Sequence, residues 1–213
     1  MRNQFYSDRK DIWKWSLLLE LAGDTHHVYQ VAMLTRDEGE HTLDEGDPWP
    51  CSNLVRAFFD RERRSKAHDI YRVEGLINGR ITVLNRLGCE YQFYSNRSRD
   101  HYFTRVLETI KTDNGKRKLV FLDPDNGLEV KNSNQKHVRS QEICRVWNAL
   151  NPGDYMVLYQ HHSRDFKMRQ DPARLRKYID EKKAQIANAT AQASELIKER
   201  THDAVSFLWL ERR

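Results

Sequence analysis

Lys118-Leu119-Val120-Phe121-Leu122-Asp123-Pro124-Asp125-Asn126-Gly127-Leu128-Glu129 decides how this chain is read. The unbroken apolar run from Leu119 to Leu122 is too short for a helix of its own. It suits a strand buried on both faces, as in a parallel sheet. Asp123 then places a carboxylate at the end of a buried strand, where an ionised group needs donors, a cation or a substrate. Pro124 stiffens the turn, and Asn126-Gly127 admits left-handed backbone. One stretch thus predicts a central strand and a functional loop at its carboxyl end.

Downstream, a helix over Gln141–Leu150 and the turn Asn151-Pro152-Gly153 lead into a second apolar strand, Tyr155–Gln160. A strand–helix–strand unit of this length implies a parallel crossover. Pro172 opens a long polar helix that the pattern extends to about Glu199, and Ala204–Leu210 reads as the last strand. Upstream, Ser7 or Asp8 can cap a helix from Arg9 to Ala22 whose apolar stripe includes Trp13, Leu17, Leu18 and Leu21. Val28–Leu34 reads as the first strand, and Ser52 caps a helix from Asn53 to about Arg64. Ile70–Val73 has strand character, Ile77–Leu87 helix character interrupted by Gly79, Tyr91–Tyr94 is a short strand, and Arg99–Lys111 is amphipathic. Strands alternating with helices predict one doubly wound, Rossmann-like α/β domain over residues 1–213.

The length, 213 residues, suits a single domain with a substantial core. With 38% hydrophobic and 31% charged residues, the composition is that of a folded, water-soluble chain. No apolar run approaches the ~18 residues that a membrane span needs, and Met1–Phe5 lacks the apolar core of a secretion signal. Cys51, Cys89 and Cys144 are scattered and form no CxxC pair, so they are expected to be reduced core residues of a cytoplasmic protein. The net charge of +5 permits an anionic partner. Basic clusters at Arg61–Arg64, Lys116–Lys118 and Arg174–Lys177 make nucleic acid the expected one.

In an open α/β sheet, ligands bind beyond the carboxyl ends of the strands. Polar groups gather there: Thr35, Asp37, Glu38 and His41 after the first strand, Ser95, Asn96 and Arg97 after Tyr91–Tyr94, Asp123, Asp125, Asn126 and Glu129 after the central one, and Gln160, His161 and His162 after the next. Asp123, Asp125 and Glu129 together could hold a hard divalent cation, Mg2+ or Mn2+. Of the two histidines, His161 should share a face with Tyr159, because side chains alternate along a strand, and so should face the site as base or ligand.

Phe121-Leu122-Asp123-Pro124-Asp125-Asn126, at a strand end in this topology, resembles the Asp-Pro-Pro-Tyr motif of Rossmann-fold nucleic-acid amino-methyltransferases. Lys10-Asp11-Ile12-Trp13-Lys14-Trp15 is similar to the leading helix of the ribosomal RNA adenine-N6 methyltransferases of that class. The resemblance implies S-adenosylmethionine as cofactor, with Lys14, Thr35, Asp37 and Glu38 on its side of the site. It also implies that Asp123 accepts a hydrogen bond from the substrate amine. This chain departs from the motif in carrying Asp125 and Asn126 for its second proline and aromatic residue, and in having no Gly-x-Gly loop after the first strand. Two other functions remain open at this point. Val73-Glu74-Gly75 followed by Asp123-Pro124-Asp125 looks like the Glu…Asp-x-Asp pattern of metal-dependent Toprim nucleases, and Asp125, Glu129 and Lys131 keep the acid, acid, lysine order of restriction-type nucleases at a shorter spacing. A non-catalytic binding protein on a methyltransferase-like scaffold would account for the departures from each enzyme pattern.

Overall fold

The computed structural model describes residues 6–35, 51–65, 69–84, 99–113, 115–162, 171–202 and 204–213. Six strands form one sheet: β1 (His26–Ala32), β2 (Ile81–Val83), β3 (Arg117–Asp123), β6 (Tyr155–His161), β7 (Lys198–His202) and β8 (Val205–Glu211). A separate two-stranded ribbon, β4 (Gly127–Leu128) with β5 (His137–Val138), follows the Asp123 loop. The order across the sheet is β2-β1-β3-β6-β8-β7. The first four strands run parallel, while β8 is antiparallel to both β6 and β7. The central strand is the one expected: β3 pairs along its whole length with β1 and also with β6, and from Leu119 to Leu122 it is completely buried.

Helices cover both faces. The outward pleat of Val28, Ala32, Leu119, Phe121, Val157, Tyr159 and Phe207 packs with α1 (Arg9–Ala22) and α2 (Asn53–Arg64). The alternate residues, Val31, Val120, Leu122, Met156, Leu158 and Leu208, pack with α3 (Arg99–Thr112), α4 (Ser140–Trp147) and α5 (Pro172–Thr190). The architecture is therefore an α/β fold with a mostly parallel sheet between two helical layers. No helix among the described residues is long and apolar enough to cross a membrane.

The helix starts follow from local chemistry. Asp8 caps α1 through the Asp11 amide at 2.9 Å, and Ser52 caps α2 through the Val55 amide at 3.2 Å. Three expectations are corrected. Ile70–Gly75 is a 3-10 helix, capped by Asp69, rather than a strand. The described part of the expected 77–87 helix, residues 77–84, is not helical: Gly79 at φ +68° turns the chain, and Ile81–Val83 is the edge strand β2, while residues 85–87 lie outside the described residues. The long helix from Pro172 stops at Thr190, where Ala191 adopts left-handed backbone, and Lys198–His202 becomes strand β7. Tyr91–Tyr94 lies outside the described residues.

Candidate functional site

From β1 the chain passes to β2 on one side and then returns to β3 on the other. The sheet order thus reverses between β1 and β3, and beyond their carboxyl ends lies the crevice where open α/β sheets take ligands. Asp123 ends β3 at this point and is 1% exposed. Its Oδ2 accepts from Gln30 Nε2 on β1 at 2.7 Å and from Lys14 Nζ on α1 at 3.2 Å.

Lys14 is itself 5% exposed and also donates to Asp11 Oδ1 at 2.8 Å. Its ammonium lies over the rings of Tyr159, at 5.3 Å, and Phe121, at 5.9 Å. Burial alone would push the Lys14 titration down. The carboxylates of Asp11 and Asp123 outweigh it and hold the lysine above its ordinary value, so it is charged throughout the neutral range. Asp8 stands at the end of the cluster, and burial together with the Asp11 carboxylate pushes it up to about 7.

The remaining expected residues sit around this core. Thr35 Oγ1 donates to Asp125 Oδ2 at 3.4 Å, joining the loops after β1 and β3, and Lys136 Nζ is 4.0 Å from the same Asp125 oxygen. The Asn126 amide donates to the Lys136 carbonyl. Gly127, at φ +100°, lies so close to Gln160 that a β-carbon would stand 2.6 Å from its side chain. Glu129 turns to the start of α4, where its Oε1 accepts from the Ser140 amide at 2.8 Å. Burial raises Glu129, but the hydrogen bonds from Ser140 bring it below the usual carboxylate value. His161 packs edge-on against Tyr159, on the face that also carries Phe121, as alternation along β6 requires. His162 points the other way and bonds Ser206 Oγ at 2.8 Å. Asp37, Glu38, His41, Ser95, Asn96 and Arg97 lie outside the described residues.

Asp123, Lys14 and Tyr159 are thus brought together, with His161 against the Tyr159 ring; Asp125 and Thr35 lie at the crevice, and Glu129 serves as a helix cap. Asp8, Asp11 and Gln30 join the site although none is among the expected site residues; Asp11 is legible only within the Lys10–Trp15 stretch that carries the resemblance. Asp8 is legible only as a helix cap, and Gln30 only as a polar residue inside a strand.

Among the described residues no group of three His, Cys, Asp or Glu side chains is placed to hold a metal ion. Glu74, the leading acid of the Toprim-like pattern, belongs to the 3-10 helix and accepts from the Val83 amide at 2.8 Å. The basic clusters are partly consumed by the fold. Lys118 is buried beside Asp154, Arg63 donates to the Ser7 carbonyl, and Arg176 binds Asp180 and Glu199.

No protein-family model matches the chain, and comparison with curated proteins gives no significant match.

Proposed function

We propose that this chain recognises and modifies an amino-bearing nucleobase in a nucleic acid, with Asp123 as the acceptor for the exocyclic amine. The observation that carries the reading is the Asp123 carboxylate, fixed by Lys14 and Gln30 at the carboxyl end of the central strand, at the point where the sheet order reverses. A buried carboxylate held at a strand end by donors on one oxygen suits recognition of a neutral N–H group.

S-adenosylmethionine is the cofactor the resemblance implies. Among the residues assigned to its side, Lys14 is committed to two carboxylates, Thr35 donates to Asp125, and Asp37 and Glu38 lie outside the described residues. The described residues therefore do not assemble a cradle for it. Calorimetric titration with S-adenosylmethionine, and separately with Mg2+ or Mn2+, tests the assignment. Micromolar binding of S-adenosylmethionine, with methyl transfer to an oligonucleotide, supports an amino-methyltransferase. Metal-dependent cleavage of the oligonucleotide would overturn the reading in favour of a nuclease. Full function in an Asp123→Ala variant would refute any role for the carboxylate.

A further inference from the structure

The Asp123 carboxylate is the last member of a relay that begins before α1. Ser7 has φ +70°, a conformation that a residue with a β-carbon rarely adopts. Two contacts hold it there. Its amide donates to Asp11 Oδ2 at 3.0 Å, and its carbonyl accepts from Arg63 Nε of α2 at 2.7 Å. Its hydroxyl, on a residue 1% exposed, has no hydrogen-bond partner among the described residues, so what is seen of the turn is not kept for the sake of the serine side chain.

What the turn secures is Asp11. That carboxylate is bound on Oδ2 by Ser7, and its own amide is bound by Asp8 Oδ1 at 2.9 Å. Its Oδ1 takes the Lys14 ammonium at 2.8 Å. Lys14 lies one turn along the same helix, and its ammonium sits over the rings of Phe121 and Tyr159. With that bond made on one side, the ammonium offers its second hydrogen bond to Asp123 Oδ2 at 3.2 Å.

We infer that Asp11 is a positioning residue of the candidate site, which acts through Lys14 to hold Asp123 in one rotamer with one oxygen committed to Lys14 and Gln30 and the other turned to the ligand. The inference rests on the nucleobase reading for what the ligand is, but the relay is a property of the protein alone. It also makes Lys14 the residue that selects a neutral donor. A metal ion bound to this carboxylate would stand close to a buried ammonium and be repelled.

Two measurements test it. The first uses the protein without ligand: lysine-ammonium proton–nitrogen NMR, with the Lys14 signal identified by its loss in Lys14→Arg. The buried, doubly bonded ammonium should give a slowly exchanging signal, and Asp11→Asn should abolish it. The second compares the affinities of single-stranded oligonucleotides carrying adenine or purine, and cytosine or pyrimidin-2-one, at one position. Loss of one hydrogen bond to a charged acceptor costs about tenfold or more, so the unaltered protein should prefer the amino-bearing base of one pair by that factor. Asp11→Asn should bring the ratio to within about twofold of unity. Asp11→Glu, which keeps the charge, should fall between, and provides the comparison if the asparagine variant does not fold. An ammonium signal that survives in Asp11→Asn overturns the relay. A lost signal with an unchanged preference overturns the positioning role. An unaltered protein with no preference in either pair rejects the nucleobase reading, and with it the positioning role, leaving the relay to be judged on the NMR signal.

Discussion

Replacing Asp8 by asparagine isolates the proton that the buried cluster holds. Asp8 caps α1 from a nearly sealed position, and burial and the neighbouring Asp11 carboxylate push its titration from 3.8 to about 7. In the unfolded chain the same carboxyl loses its proton near pH 4. Between those limits the folded protein binds a proton that the unfolded chain has released, so stability falls as pH rises from about 4 to about 7 and is level above that. At about 1.4 kcal/mol per pH unit over roughly three units, the penalty carried at pH 8 is about 4 kcal/mol. Asparagine caps a helix as well as aspartate does and resembles its protonated form, so Asp8→Asn removes the titration while keeping the cap. Carboxylates away from the cluster titrate alike in both proteins and cancel in the difference, which reports Asp8 and its coupling to Asp11. Urea denaturation of the two proteins at half-unit steps from pH 4 to pH 8 measures that difference directly. The asparagine variant should match the original at pH 4 and gain on it steadily, by up to about 4 kcal/mol near neutrality. A difference that stays flat within about 0.5 kcal/mol, or that grows in favour of the original protein, would mean that Asp8 is ionised in the folded state and would refute the reasoning.

Gly127→Ala combines a positive φ with a β-carbon 2.6 Å from Gln160, whose amide is bonded to the Leu128 amide, the Tyr178 hydroxyl and the His161 carbonyl. It should cost about 2–4 kcal/mol in thermal or urea unfolding, and an unchanged midpoint would mean that Gln160 can move freely. Arg99 forms a buried ion pair with Glu142 and also donates to the His137 carbonyl, so Arg99→Leu takes this cation from a buried carboxylate and should cost about 3–5 kcal/mol. Arg200→Ala breaks a two-bonded but exposed pair with Glu20 and should cost no more than about 1 kcal/mol by the same measurement. Equal costs for the two would show that burial does not set the worth of these pairs.

The central strands were legible because their signal is local. Leu119–Leu122 and the run from Tyr155 are apolar on both faces, and two helical layers bury both faces. Helices α1 and α2 were legible from Asp8 and Ser52, since a cap is chemistry between residues three apart. Strand β7 was not. Its side chains, Lys198-Glu199-Arg200-Thr201-His202, are polar on both faces, and it is a strand because β8 offers it a ladder. Polar residues with good helix propensity extend the expected helix to about Glu199, into the start of this strand, and nothing local marks the left-handed Ala191 where the helix ends. The site divides the same way. Asp123 and Pro124 announce themselves in the sequence, as does Lys14 by resemblance. That Lys14 meets Asp123 depends on how α1 lies on the sheet, 109 residues apart in the chain. Glu129 looked equivalent to Asp125 by spacing, but the ribbon β4–β5 turns it toward the α4 amides.

The inserted antiparallel strand has a consequence for how the protein is made. β6 is apolar and fully sheet-forming, yet one of its edges is closed only by β8, after roughly 40 further residues have been synthesised, about 2–8 s at the usual pace of translation. For that interval the nascent chain carries a hydrophobic strand with an unpaired edge, the surface on which misassembly begins. The charged strand β7 precedes β8, so when the pair arrives it closes the hydrophobic edge and replaces it with a polar one in a single step. The vulnerable state of this protein is therefore the growing chain rather than the finished fold, and substitutions that slow the docking of Val205–Glu211 should lower the yield of folded protein out of proportion to their effect on its stability.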